Sequence, residues 1–113
     1  MKRLTVDNFQ DQILESPRPC LILFKRDSCH LCSGLVPVLF RINKRYGNRL
    51  KTGYIDADVE EGLAEIFSIS GVPTVYFSFK GDAVEVEYPE SPSPFSGYTE
   101  EDLVNYLENF FSK

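Results

Sequence analysis

Cys20-Leu21-Ile22-Leu23-Phe24 runs without a polar residue, gives way to Lys25-Arg26-Asp27-Ser28, and arrives at Cys29-His30-Leu31-Cys32. An uninterrupted apolar run of this length, closed by a polar turn, predicts a strand buried on both faces. Strands of that kind belong to sheets covered by helices. Beyond the cysteines, Leu35, Val38, Leu39, Ile42 and Tyr46 recur at helical spacing. The two cysteines therefore open a helix, where residues i and i+3 share one face. That spacing brings their Cα atoms within the roughly 4.4–6.8 Å that a disulfide allows. Such a pair can cycle between dithiol and disulfide without refolding the chain. CxxC alone is equally well half of a zinc site.

The flanking sequence supplies the remaining elements. Leu4-Thr5-Val6 predicts a short strand, and Asp7 with Gln10 a capping box opening a helix with Phe9, Ile13 and Leu14 on one face. Ser16-Pro17-Arg18-Pro19 ends that helix. Pro37 removes one backbone donor from the long helix and predicts a kink, since the apolar periodicity resumes beyond it. Gly47 or Asn48 stops it. Lys51 to Asp56 reads as a strand. Val59 to Ser68 reads as a short helix with Leu63, Ile66 and Phe67 inward. Gly71-Val72-Pro73-Thr74 is a turn before the β-branched and aromatic strand Val75 to Phe79. Gly81-Asp82 predicts a hairpin turn and Ala83 to Tyr88 its returning strand. Pro89 to Gly97 is rich in proline and serine and reads as irregular. Thr99 with Asp102 caps a last helix whose apolar face is Leu103, Tyr106, Leu107 and Phe110. The order β-α-β-α-β-α-β-β-α demands right-handed parallel crossovers first and an antiparallel hairpin last. It predicts one domain over residues 1–113, a three-layer α/β/α sandwich with a central mixed β-sheet.

Composition narrows the function. A chain of 113 residues is long enough to bury a core without disulfide staples. Its net charge of −5 offers no basic stripe for nucleic acid. Lys2 and Arg3 near the start are not followed by the apolar segment of a signal peptide. No stretch approaches the roughly 18 apolar residues of a membrane span. The expectation is a cytoplasmic protein with neither nucleic acid nor membrane as partner. Three cysteines in a reducing compartment point to chemistry or burial rather than to structural bridges.

In combination these features closely resemble the thioredoxin family. A buried strand leads into Cys29-His30-Leu31-Cys32, Pro37 lies five residues on, Ile55-Asp56 ends the next strand, Gly71-Val72-Pro73-Thr74 precedes the hairpin, and Gly97 precedes the last helix. The resemblance covers nearly the whole chain in order. It implies a thioredoxin fold, a cis Val72–Pro73 bond, and Pro73 packed against the cysteine pair. It implies protein disulfides as substrates, held through backbone near Val72 by β-type hydrogen bonds. It further implies a thioredoxin-reductase-like or other electron donor, and no cofactor or metal beyond the redox-active Cys29–Cys32 pair. The departures are specific. The family's Trp-Cys-Gly-Pro-Cys-Lys is here Ser28-Cys29-His30-Leu31-Cys32-Ser33, and the chain has no tryptophan. Leu23 stands where the family has a buried Asp, Thr52 near its partner Lys, and Lys25 at a usual Trp.

In this reading Cys29 attacks a substrate disulfide and Cys32 resolves the mixed disulfide. A helix N-terminus lowers the pKa of a thiol, and a protonated His30 and Lys25 add positive charge. His30 and Leu31, the residues between the cysteines, tune the redox poise. With histidine in place of glycine, the expected potential is less negative than thioredoxin's. Glu65 and Asp56 are the candidates to accept the Cys32 proton. For zinc, the only other soft ligand is Cys20, about 17 Å away along the strand at ~3.3 Å per residue. Cys20 reads as a small buried hydrophobe. Against the oxidoreductase stand two further readings: a thioredoxin-fold binding or adaptor module, and a redox sensor.

Overall fold

The computed structural model describes residues 1–113. Five strands form one sheet in the order β1-β3-β2-β4-β5: β1 (Lys2–Arg3), β2 (Cys20–Lys25), β3 (Lys51–Asp56), β4 (Thr74–Phe79) and β5 (Asp82–Glu85). β1, β3 and β2 are mutually parallel, and β4 and β5 run antiparallel to their neighbours. The helices are α1 (His30–Tyr46), α2 (Glu61–Ile66) and α3 (Glu100–Phe111).

β2 occupies the centre because its side chains leave it no other place. Every residue from Cys20 to Phe24 is buried. Alternation along the strand sends Leu21 and Leu23 to one face and Cys20, Ile22 and Phe24 to the other. Leu21 and Leu23 meet Leu35, Val38, Leu39 and Ile42 of α1 and Leu103 and Leu107 of α3. Cys20, Ile22 and Phe24 meet Phe9, Ile13 and Leu63 of α2. Two separate apolar clusters on the two faces make the three layers. Burying each large aliphatic or aromatic side chain is worth about 1.5–3 kcal/mol.

Several local signals act as the sequence predicts. Pro37 lies inside α1. Gly47 ends α1 at a positive φ of 54°, where a side chain would be strained. Thr99 accepts the Asp102 N–H at 3.1 Å while Asp102 accepts the Thr99 N–H at 2.8 Å, a reciprocal cap on α3.

Four boundaries differ. The first strand is Lys2–Arg3 rather than Leu4–Val6, because Leu4 turns inward and is fully buried under the sheet. The reciprocal cap that follows is Thr5 with Asn8, not Asp7 with Gln10, and it leads into one π-helical stretch over Gln10–Leu14. Leu14 faces solvent there. α2 is shorter than predicted and Ile66 is 75 % exposed at its end, while Leu63 and Phe67 pack inward. The hairpin turns at Lys80-Gly81, both at positive φ, and β5 stops at Glu85.

Beyond β5 the chain is held by Tyr98, which is 1 % exposed. Its hydroxyl donates to the Val86 carbonyl at 3.0 Å and accepts the Val75 N–H at 3.3 Å. Burial pushes its pKa up to about 12. A phenol is neutral when protonated, so a folded pKa above the ordinary 10 stabilises the fold fully below pH 10. That contribution is lost as pH rises from 10 to 12 and amounts to at most about 2–3 kcal/mol. We expect the unfolding free energy to fall along this limb, and to fall less in Tyr98→Phe. That variant should also lose about 1–3 kcal/mol at pH 7, because the Val75 N–H is left without its partner. Denaturant titrations at pH 7 and across pH 9–12 measure both effects.

Candidate active site

The segment between β2 and α1 is short and tied down at each step. The Lys25 carbonyl continues the sheet by accepting the Ala57 N–H at 2.8 Å. The Cys29 N–H closes a turn onto the Arg26 carbonyl at 3.0 Å. The Arg26 side chain pairs with Asp58 at 2.8 Å, fastening this turn to the loop after β3. Cys29 is then the N-cap of α1. Its backbone is extended, and its Sγ accepts the Cys32 N–H at 3.1 Å. This sulfur thus takes the place that Ser, Thr, Asp or Asn fills at other helix starts.

Cys29 and Cys32 are joined as a disulfide with Cα atoms 5.2 Å apart. Cys29 is half-buried, whereas Cys32 is 1 % exposed. The first turn of α1 has no acidic residue, and its last turn carries Lys44 and Arg45. Charges placed this way complement the helix dipole at its C-terminus and leave the positive pole at Cys29 unopposed. His30 is exposed and Leu31 half-buried. Lys25 has its ammonium on Asp27 at 3.0 Å and over the Tyr54 ring at 5.4 Å.

The antiparallel register of β2 and β4 sets Phe24 opposite Thr74. Pro73, the residue before Thr74, therefore lies at the end of the sheet from which the Cys29 turn departs. The Val72–Pro73 bond is cis and Pro73 is buried. Lys25, Cys29, His30, Leu31, Cys32, Val72 and Pro73 all belong to this one end of the molecule. A cleft of about 240 Å³ opens at Pro73 and is lined also by Val72, Thr74, Glu85, Tyr88 and Tyr98.

Leu23 and Thr52, both on the α1 face of the sheet, carry no charge. Leu23 is fully buried, and the buried Thr52 hydroxyl bonds to the Asn43 side chain at 3.0 Å. Asp56, at the end of β3, is the only buried residue with a charged side chain, and its carboxylate accepts the Asp58 N–H at 3.0 Å. Glu65 is exposed on α2, which covers the opposite face. Cys20 lies at the far end of β2 from the pair, and burial pushes its thiol pKa up. No group of three or more His, Cys, Asp and Glu side chains converges as metal ligands would.

Two contributors to this end carry little sequence signal. Gly34, in the second turn of α1, touches the Phe95 carbonyl so closely that any Cβ there would collide with it. The loop holding Phe95 is closed by paired backbone bonds between Ser93 and Gly97 at 2.8 and 2.9 Å. It therefore sits on α1 beside the pair, with the Phe95 ring 75 % exposed. Glu85 reaches the cleft through the β4–β5 register, and Tyr88 through its packing on Tyr98. A lone glycine in an apolar helical pattern was the one available clue to the close backbone approach.

Comparison with known proteins agrees with this geometry. The family model described as Thioredoxin matches residues 1–108, a span that includes the cysteines and the Val72–Pro73 turn. A thioredoxin of Thiocapsa roseopersicina is 32 % identical over 75 residues, which is 66 % of this chain and 82 % of that protein. A thioredoxin of Buchnera aphidicola subsp. Acyrthosiphon pisum is 33 % identical over 72 residues, 64 % of this chain and 67 % of that protein. Protein disulfide-isomerase tigA of Aspergillus niger is 31 % identical over 86 residues, 73 % of this chain and 24 % of that longer protein. A disulfide-forming CxxC pair capping a helix, in a chain with these likenesses, is that of a thiol–disulfide oxidoreductase. The chain belongs to the thioredoxin family.

Proposed function

We propose that Cys29 is the attacking thiolate, Cys32 the resolving thiol, and protein disulfides the substrates. The observation that carries this reading is the asymmetry of the pair: Cys29 is accessible and caps α1, and Cys32 is buried one turn further in. The Cys29 thiolate attacks one sulfur of a substrate disulfide, forming a mixed disulfide and releasing the other sulfur as a thiolate. The Cys32 thiolate then attacks Cys29 Sγ, expels the second substrate sulfur and leaves the Cys29–Cys32 disulfide. Two electrons pass from the pair to the substrate, and a thioredoxin-reductase-like or other electron donor restores them. Cys32 must shed its proton before it attacks. Asp56, buried on the α1 face, is better placed to receive it through water than Glu65 on the opposite side. Val72 and Pro73 supply the backbone against which the substrate segment extends. Sparing use of cysteine, one reactive pair and one buried thiol, favours a reducing cytoplasm.

A trapping experiment tests the roles. Cys32→Ser should accumulate a covalent complex with a disulfide substrate that dithiothreitol releases, and Cys29→Ser should form none. Equal trapping by both variants contradicts the assignment.

The poise follows from the thiolate's surroundings. The capping N–H and the helix dipole stabilise the reduced pair, and His30 adds to this in its protonated form, which makes the couple more oxidising. A potential less negative than thioredoxin's approximately −270 mV is expected from equilibration with glutathione. His30→Gly should move it more negative by about 5–20 mV, the size of one exposed charge interaction. Lys25→Gln should move it less, because Asp27 already holds that ammonium. A His30→Gly potential equal to or above that of the parent rules out His30 as a tuning residue.

A further inference from the structure

The cleft beside Pro73 has one wall that the chemistry of disulfide exchange does not use. The register Tyr76↔Glu85 carries Glu85 to the rim of the cleft, where it is exposed. Glu85 takes part in none of the molecule's ion pairs, which are Lys25–Asp27, Arg26–Asp58 and Arg41–Glu100. Among the residues lining the cleft it is the only one that carries a charge at neutral pH. Beside it stands Tyr88, 39 % exposed, its ring held edge-on against Tyr98 at 5.2 Å and 80°. Tyr98 is itself fixed by its two backbone hydrogen bonds, so Tyr88 packs on a rigid surface.

A free carboxylate next to a supported aromatic face is a receptor for a cation. A guanidinium can satisfy both at once, stacking over the ring's electron-rich face and donating to the carboxylate. We propose that this cleft is a specificity subsite that receives a basic side chain, arginine foremost, from the protein disulfide under attack, close in sequence to its cysteine. The inference rests on the reading of Val72 and Pro73 as the substrate-binding backbone, because that backbone brings the substrate segment past Glu85. The same carboxylate disfavours an acidic side chain at that position, so the subsite discriminates in both directions. Arg26 and Lys25 do not offset it, since Asp58 and Asp27 hold them.

The test uses a series of small disulfide peptides. Arginine, alanine or glutamate is stepped through the four positions on each side of the cysteine, and kcat/KM for reduction is measured for each. At one position at least, the arginine peptide should be favoured over the glutamate peptide by about two- to fivefold at low salt, as for a partly exposed charge contact. That ratio should shrink in high salt. It should collapse toward one in Glu85→Gln and diminish in Tyr88→Leu. A ratio within one protein preparation is insensitive to how much of a variant is folded. Equal rates at every position, or a preference that survives Glu85→Gln, overturn the subsite while reduction of the alanine peptides stands. Failure of the parent protein to reduce even the alanine peptides overturns the underlying reading and the subsite with it.

Discussion

β2 is bonded to β3 along one edge and to β4 along the other, and it is covered by helices on both faces. The rest of the molecule is arranged around that double burial. Five consecutive apolar side chains fit nowhere but the middle of a covered sheet. The chain then has to leave the sheet at Lys25 and return at once as the helix that covers the Leu21 and Leu23 face. The turn that does this is closed by the Cys29 N–H on the Arg26 carbonyl, so Cys29 is the residue whose side chain caps the helix. One of the N–H groups that a helix start leaves without a partner, that of Cys32, donates to its sulfur at 3.1 Å. Cys32, one turn along the same face, is carried into the core. The unequal exposure of the two sulfurs is therefore a consequence of how a buried strand is joined to the helix above it.

The same face has been made apolar or neutral where the wider family keeps a buried Asp and its partner Lys. Leu23 packs into the α1 and α3 cluster, and Thr52 bonds to Asn43. A buried ion pair recovers its desolvation cost only with good geometry and further hydrogen bonds. Leucine and a neutral hydrogen bond carry no such cost, so the core gains. In the proposed exchange the proton leaving Cys32 passes to Asp56, the buried carboxylate at the end of β3.

Much of this was legible in the residues. The Cys20–Phe24 run specified β2, the helical recurrence from Leu35 to Tyr46 specified α1, and Thr99 with Asp102 specified the start of α3, because each is a local pattern with one structural solution. The first strand and the start of the helix after it depart from the local pattern, because Leu4 is drawn under the sheet and Thr5, not Asp7, forms the reciprocal cap, with Asn8. Ile66 looked like a core position by spacing, but α2 ends there before its side chain can turn inward. Cys29, His30, Leu31 and Cys32 were visible as a local motif. Glu85, Tyr88 and the Gly34–Phe95 contact were not, since they meet the site only through strand register and loop closure across the fold.

The proposed roles require one sulfur to be accessible and stabilised as a thiolate by the start of α1, and the other to be sheltered. Alkylation of the fully reduced, folded protein by iodoacetamide, resolved by cysteine and followed against pH, measures this directly. Cys29 should react first, with a midpoint below the ~8.5 of a free cysteine, while Cys32 and Cys20 lag far behind. Alkylation of Cys32 as fast as Cys29, or a Cys29 midpoint at or above that of a free cysteine, would contradict the account.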